Sequence, residues 1–469
     1  MAEKVSVFPS KSFFVSTLTR DIELKDAILD LLDNCVDGIL RHGQKHLPKN
    51  AQKPYDGYWA KIDISPTVFV IEDNCGGISK NIAENSAFRL GRVDVERDKD
   101  LPTVGMYGIG MKRAIFKMGR KARICSRHEE DSYCVEISPE WLSQDENWEL
   151  PLNPATDTLK TDGTRIEVSD LYENISRQLD SKDFIDELHR DIANFFAIIL
   201  DKGFKVFLDT KEIQPADFRL LFSDDFSSTP QIQPYAYQAE ISGVSVKIVV
   251  GFYRELASVT EIEKEVEEEQ ELPTRKSDNA GWTVICNDRV ILYRDKSRLT
   301  GWGVRDVPKY HTQFIAIAGV VIFTSNESLK LPLSTTKRNL DTSSEIYGNV
   351  LNRMMDGLKE FTSFTNHWKG REEETAESFK KMKLAEPSEI VKSIPKWSSL
   401  RGSQAKEEKF VPLLPKPSKE KTKRRISFYR SASQITKLSE FFFDDTDVSP
   451  SEVGEKCFDE ALKKARGKK

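Results

Sequence analysis

The stretch LKDAILDLLDNCVDGILRH, residues 24–42, decides how the rest of the chain is read. Helical residues turn by about 100° each, so with Asp30 at zero, Asn34 falls near ~40° and Asp37 near ~−20°. Ile28, Leu32, Cys35 and Ile39 fall on the far side, between about 140° and 200°. The pattern predicts a helix over Leu24–His42 with an apolar stripe set against a polar one. A solvent-facing amphipathic helix would satisfy it. Yet the polar stripe holds a carboxylate, a carboxamide and a carboxylate with no lysine among them. Oxygen ligands gathered in this way suit a hard cation such as Mg²⁺.

Downstream, the β-branched run from Thr67 delivers an aspartate, Asp73, and then Gly76 and Gly77. A turn after a strand explains this. So does a carboxylate fixed at a strand end, with glycines that let a planar ligand approach the backbone. Gly105, Gly108 and Gly110 lead into an apolar helical run, Ile109–Met118, with Lys112 in its first turn. Unpaired amides at a helix N-terminus attract anions, and the lysine adds charge. The chain has no Walker A spacing, and these glycines do not follow a first strand as a dinucleotide fingerprint does. Asp162-Gly163-Thr164 opens a further strand with a hydroxyl at its start.

Taken in order over about residues 20–170, the four motifs resemble those of the GHKL superfamily. That is the group of gyrase B, the heat-shock chaperone, sensor histidine kinases and MutL. Asp30-Leu-Leu-Asp33-Asn34-Cys-Val-Asp37 matches the acidic-x-x-x-Asn-x-x-Asp motif. Asp73 and Gly77 match Asp-x-Gly-x-Gly, with Cys75 at the first glycine position. Gly105, Gly108 and Gly110 match the glycine lid, and Gly163 with Thr164 the last motif. Asp33 directly before Asn34, and Lys112 closing the third motif, look most like the MORC branch and its prokaryotic relatives.

The resemblance implies a Bergerat-fold α/β sandwich that binds ATP. It implies that Asn34 coordinates Mg²⁺ on the triphosphate and that Asp73 hydrogen-bonds the adenine amino group. Gly105, Gly108, Gly110 and Lys112 would wrap the phosphates. Thr164 would support the adenine end, and Asp37 and Gly77 complete the nucleotide-binding set. Asp30 stands where the family carries a glutamate as general base, one methylene longer. Clamp-forming branches add a transducer domain whose lysine reaches the γ-phosphate. Leu331–Asn339 lies between the expected strand Phe314–Phe323 and a long helix, Ser343–Trp368, so Lys337 is the candidate catalytic lysine. Thr335, Arg338 and Lys330 are the alternatives.

With 469 residues, 38% hydrophobic and 31% charged, the chain can build two or three cores and is not a mostly disordered polymer. Strands are expected at Lys61–Ser65, Lys121–Ser126, Tyr133–Ile137, Lys205–Leu208, Val244–Phe252 and Thr283–Tyr293, and a further helix over Phe184–Leu200. The mixture predicts an α/β class: the ATP-binding sandwich over 1–180 and an S5-like transducer domain over 181–368. A basic Pro/Lys/Ser-rich linker over 369–425 and a small helical docking segment over 426–469 follow. Residues 255–272 form an acidic, solvated run.

No run of about 18 apolar residues occurs, so no membrane span is expected. The N-terminus does not read as a secretory signal, so a cytoplasmic location is expected. The six cysteines are too scattered for a disulfide framework and form no CxxC zinc pair. The six histidines have no ligand partners in the sequence. Net charge is −5, so DNA would need a local patch. Residues 401–430 offer one, with ten Lys/Arg against three Glu. The same stretch also reads as a solvated linker. The expected cofactors are ATP and Mg²⁺, and the expected partner is a second copy, recruited by ATP. The reading is an ATPase acting as an ATP-gated dimeric clamp, with DNA and prokaryotic defence or chromosome structure as its setting. The alternative is a slow or non-hydrolysing ATP-sensing module or chaperone that signals to a protein partner.

Overall fold

A computed structural model describes residues 10–43, 52–89, 91, 101–105, 108–145, 147–155, 159–226, 230–259, 261–262, 279–334, 337–400, 406–417, 426 and 428–466. The chain divides into two units, Met1–Pro417 and Ser418–Lys469.

The first unit begins with α1 (Lys11–Arg20) and α2 (Leu24–Gly43). Its first sheet collects β1 (Trp59–Ile64), β2 (Phe69–Asp73), β3 (Gly119–His128), β4 (Asp131–Ile137), β5 (Leu152–Pro154), β6 (Gly163–Leu171), β7 (Lys205–Leu208) and β8 (Lys211–Glu212). Their order is β5-β4-β3-β6-β2-β1-β7-β8. Every neighbouring pair is antiparallel except β1 with β7. One row across the sheet, Ile62, Ile71, Ile166 and Ile124, faces a helical layer. That layer includes α2, α3 (Gly110–Met118) and α4 (Lys182–Phe195). Ile28, Leu32, Cys35 and Ile39 of α2 are buried there, as their spacing requires. The next row of side chains, Lys61, Glu72 and Arg165 among them, points to the other face.

The second sheet contains β10 (Tyr235–Ile241), β11 (Val244–Phe252), β12 (Gly281–Cys286), β13 (Arg289–Asp295), β14 (Ile317–Thr324), β16 (Ser398–Ser399) and β17 (Glu407–Phe410). The order is β13-β12-β14-β11-β10-β17-β16. The long helix α5 (Glu345–Trp368) packs Met354, Leu358 and Phe361 against it. A separate ladder joins β9 (Leu220–Phe222) to β15 (Lys383–Ala385).

Several expectations change. The first sheet runs past residue 180, because β7 adds parallel to β1. The single strand expected over Thr283–Tyr293 is two strands folded back at Asn287-Asp288, whose φ angles of 47° and 67° are left-handed. The helix over Phe184–Leu200 ends at Phe195, with Ala197–Asp201 as a separate turn. Much of the expected linker over 369–425 is built structure, over 372–399 and again at Glu407–Phe410: β15 pairs with β9, and β17 adds to the edge of β10. A polar segment can do this because strand addition uses backbone groups rather than apolar side chains.

Contrary to the cysteine reading, Cys125 and Cys134 form a disulfide, with Cα atoms 4.0 Å apart. They sit directly opposite each other on β3 and β4, a cross-strand proximity that sequence spacing does not reveal. Among the described residues no helix is long and apolar enough to cross a membrane. Residues 260 and 263–272 of the acidic run, and 401–405, 418–425 and 427 of the basic stretch, lie outside the described residues.

The second unit contains α6 (Ala432–Phe443) and α7 (Pro450–Arg466), which pack on each other. Ser431 and Gln434 form a capping box at the start of α6. Tyr429, Phe441 and Phe428 are exposed.

Candidate functional site

The polar stripe of α2 is not a wet face. Asp30, Asp33 and Asp37 are all buried, and Asn34 alone of the motif stays exposed. Each aspartate has a different set of partners, with Lys337 shared between Asp30 and Asp33. Asp33 lies against the second domain: Arg289 Nε donates to its Oδ1 at 2.7 Å, and Lys337 Nζ to its Oδ2 at 2.8 Å. Burial alone would raise its pKa, but the two cations hold the carboxyl below its usual range. Asp30 has one oxygen against Arg113 and the other 3.3 Å from Lys337 Nζ. Lys337 is buried, yet its pKa is pushed above the ordinary lysine value by Asp33 and Asp30. It sits in a left-handed conformation, φ 56°, uncommon for a lysine and maintained by the loop around it.

Asp37 was expected among the nucleotide ligands. Instead its two oxygens accept from the backbone N–H groups of Val104 at 3.0 Å and Gly105 at 2.9 Å, so it fixes the base of the glycine loop. A Cβ on Gly105 would lie 2.4 Å from Asp37 Oδ2, which explains the glycine. Lys112 was expected to wrap the phosphates. Its ammonium instead donates to the carbonyls of Ala87, at 2.9 Å, and Gly108. It thereby ties the loop to the end of the 80–87 helical segment. Burial lowers its pKa to about 8. Gly110 opens α3 directly over Asp30, and the cap position, Ile109, supplies no side-chain hydrogen bond. A helix start without a side-chain cap is the kind of end that suits an anion.

At the other end of the site, Asp73 Oδ1 accepts from the Cys75 backbone N–H at 2.7 Å, and Cys35 Sγ lies 3.5 Å from Oδ2. Burial pushes its pKa up to about 6. The Thr164 backbone also reaches this carboxylate, and its hydroxyl lies 3.5 Å from Ser126 Oγ. Gly77 is left-handed, and a Cβ there would meet the Arg127 carbonyl at 1.9 Å. His128, which the sequence left without a role, places Nδ1 2.6 Å from the Gly76 carbonyl.

Thus Asp30, Asp33, Lys337, the glycine loop and the start of α3 converge, while Asp73, Gly77 and Thr164 form a second cluster on the same side of the sheet. The alternatives to Lys337 point elsewhere. Arg338 pairs with Asp26 and Asp191, Lys330 with Glu327, and Thr335 lies outside the described residues. So do residues 90, 92–100 and 106–107 of the segment between Arg89 and Gly108. Sequence reading missed Arg113, Ser126 and Arg289. Arg113 sits one residue beyond the third motif and Arg289 one residue beyond an Asn-Asp hairpin turn. That dipeptide was the available signal for a tip.

Among the described residues no group of three or more His, Cys, Asp or Glu could hold a metal ion. The donors present would suit a Mg²⁺ ion held chiefly by phosphates, with Asn34 as the side chain able to add an oxygen. An exposed carboxamide next to buried, occupied carboxylates is suited to that arrangement.

Residues 22–167 match the family described as histidine kinase-, DNA gyrase B-, and HSP90-like ATPase. The match spans all four motifs, supports the GHKL superfamily for this segment, and with it ATP binding. No curated protein matches the chain.

Proposed function

We infer that the chain is a Mg²⁺-dependent ATPase that works as an ATP-gated homodimeric clamp, with the domain of the seven-stranded sheet as its transducer. The observation that carries this is the contact of Lys337, from the second domain, with Asp30 and Asp33 of the first motif. It lies beside the glycine loop and the uncapped start of α3. In this reading Asp73 accepts from the adenine amino group, Asn34 reaches the metal, and the amides of α3 receive phosphate. Bound Mg²⁺ would neutralise charge building on the phosphates. Lys337 can serve the γ-phosphate only by leaving Asp30. That exchange frees Asp30 Oδ1 to take a proton from the attacking water. A cytoplasmic setting, MORC-like kinship, and DNA as the clamped object in a prokaryotic defence role extend the same reading; the resemblance and the charge of 401–430 support them.

Light scattering tests the clamp. ATP and a non-hydrolysable analogue should convert monomer to dimer while ADP should not, because only a third phosphate recruits Lys337. A stoichiometry independent of nucleotide removes the clamp. A second reading, an ATP-sensing module with negligible turnover, is favoured by the two ion pairs that occupy Asp30. Steady-state turnover separates them: Asp30→Ala should keep ATP affinity and slow hydrolysis by roughly 10²–10⁴-fold.

A further inference from the structure

The turn between β12 and β13 puts three consecutive side chains into three places on the first domain. Asn287 and Asp288 are both left-handed, the conformation of a two-residue hairpin whose twist matches its strands. Asn287 Nδ2 donates to the carbonyl of Thr103 at 3.3 Å and to that of Ser325 at 2.9 Å. Its Oδ1 accepts from the Ser325 N–H at 3.0 Å. Asp288 accepts from Tyr55 Oη at 3.0 Å and from Lys202 Nζ at 2.7 Å. Arg289 reaches Asp33 and also donates to the Phe195 carbonyl at 3.1 Å, with its guanidinium 4.2 Å from the centre of the Phe196 ring.

Thr103 is fully buried, and a second donor from the second domain, the Ser328 hydroxyl, donates to its carbonyl at 2.6 Å. The next two amides, Val104 and Gly105, are those held by Asp37. The base of the glycine loop is therefore gripped from both sides, by the first motif and by the second domain. Docking by apolar surface alone would need none of these groups. Buried polar side chains are retained at a cost unless fully paired, and this pairing specifies position.

We propose that the tip Asn287-Asp288-Arg289 is a coupling key, in which Asn287, with Ser328, positions the glycine loop from the second domain and Arg289 positions Asp33. It deepens the ATPase reading and rests on it for its consequence. Any displacement of the second domain that moves Lys337 moves the loop base with it. The two domains then respond to nucleotide as one element.

The test uses the full chain without nucleotide, followed by titration with a non-hydrolysable ATP analogue. Amide hydrogen exchange is read at Val104 and Gly105, and at β12 and β14 as internal references. Asn287→Ala and Ser328→Ala should each speed exchange at the loop base by about tenfold, with the reference strands unchanged. Both should weaken the analogue by a similar factor. Asp288→Ala, which faces Tyr55 and Lys202, should leave loop exchange at the wild-type rate. Ser328→Ala removes one hydroxyl only and keeps the test open if Asn287→Ala fails to fold. Equal effects of all three substitutions, no effect on the loop, or uniform loss of protection across both domains would each overturn the coupling. If the wild type binds no ATP analogue while the exchange pattern holds, the ATPase reading falls and the mechanical coupling stands.

Discussion

Among the described residues the eight-stranded sheet carries its helices on one face, whereas β12 and β14, inside the seven-stranded sheet, are covered on both. Along β1 buried and exposed residues alternate, while all six residues of β12 are buried. Val284 and Ile248 pack towards α5; Ile285, Val290 and Val320 pack towards Ala197 and Phe218, from the chain leaving the first domain. Strands buried on both faces leave few side chains to reach outward. The second domain therefore meets α2 through strand ends and loops: the tip at Asn287–Arg289, where Arg289 opens β13, and the loop at Lys337. The first sheet, open on one side, presents Asp73 and Thr164 directly from strand ends.

The largest effect that this difference predicts is at Asp33, where the doubly covered domain meets α2. Asp33→Ala leaves Arg289 and Lys337 buried against each other without their shared anion. Breaking such a group should cost about 3–5 kcal/mol, read by chemical denaturation. A loss below about 1 kcal/mol is what a solvated junction would give, and would break the contrast.

Next comes packing within the second sheet. A Cβ on Gly319 would lie 2.4 Å from Cε3 of Trp282, a ring with no exposed surface. Gly319→Ala should cost about 1–3 kcal/mol, since neither ring nor strand can yield. Gly348→Ala is the counterpart on the exposed side of α5, where nothing lies within 4 Å of the new Cβ. It should raise stability by up to about 1 kcal/mol through helix propensity. Equal thermal shifts in the two variants would mean that the sheet is looser than its burial implies.

The same contrast governs what the sequence made legible. The α2 stripe, the strand ending at Asp73 and the glycine run before α3 follow from local periodicity, so their positions could be read. The contents of the polar stripe could be read too, but not its surroundings. Asp33 and Asp37 are buried by residues 67 to 304 positions away, and periodicity carries no information about such partners. Lys337 was singled out because the resemblance implies a transducer lysine after a strand and before a long helix; Arg289 was missed because β12 and β13 together read as one apolar run. In a sheet buried on both faces the alternation that marks a turn is absent, and only Asn287-Asp288 interrupts it.

Nucleotide affinity should show how the first sheet tunes the carboxylate at the end of β2. Burial raises the Asp73 pKa to about 6, so the native state holds a proton that the unfolded chain releases near its ordinary value. Stability from this group therefore declines as pH rises between those two values. If Asp73 receives adenine as proposed, ATP affinity runs the opposite way, because an ionised carboxylate is the better acceptor for the adenine amino group. Calorimetry should find affinity falling by up to about tenfold per pH unit below 6 and flat above 7. Asp73→Asn should bind weakly at every pH, without that slope. A wild-type slope that survives in Asp73→Asn would assign the titration to another group.

The smallest effect belongs to the open face. There Arg165 donates to Glu72 at 2.9 Å and lies 3.4 Å from Glu167, with all three side chains about one-third or more exposed. Water solvates these charges in the unfolded chain almost as well as their partners do in the sheet. Glu72→Ala should therefore cost only about 0.2–1 kcal/mol, and salt near 1 M should erase most of it. The mutant should also bind ATP normally, since Glu72 points away from Asp73 on the neighbouring position of β2. A loss comparable to that of Asp33→Ala, insensitive to salt, would show this face to be covered in solution. The two sheets would then be alike in burial, and the division between strand-borne and loop-borne chemistry would need a different cause.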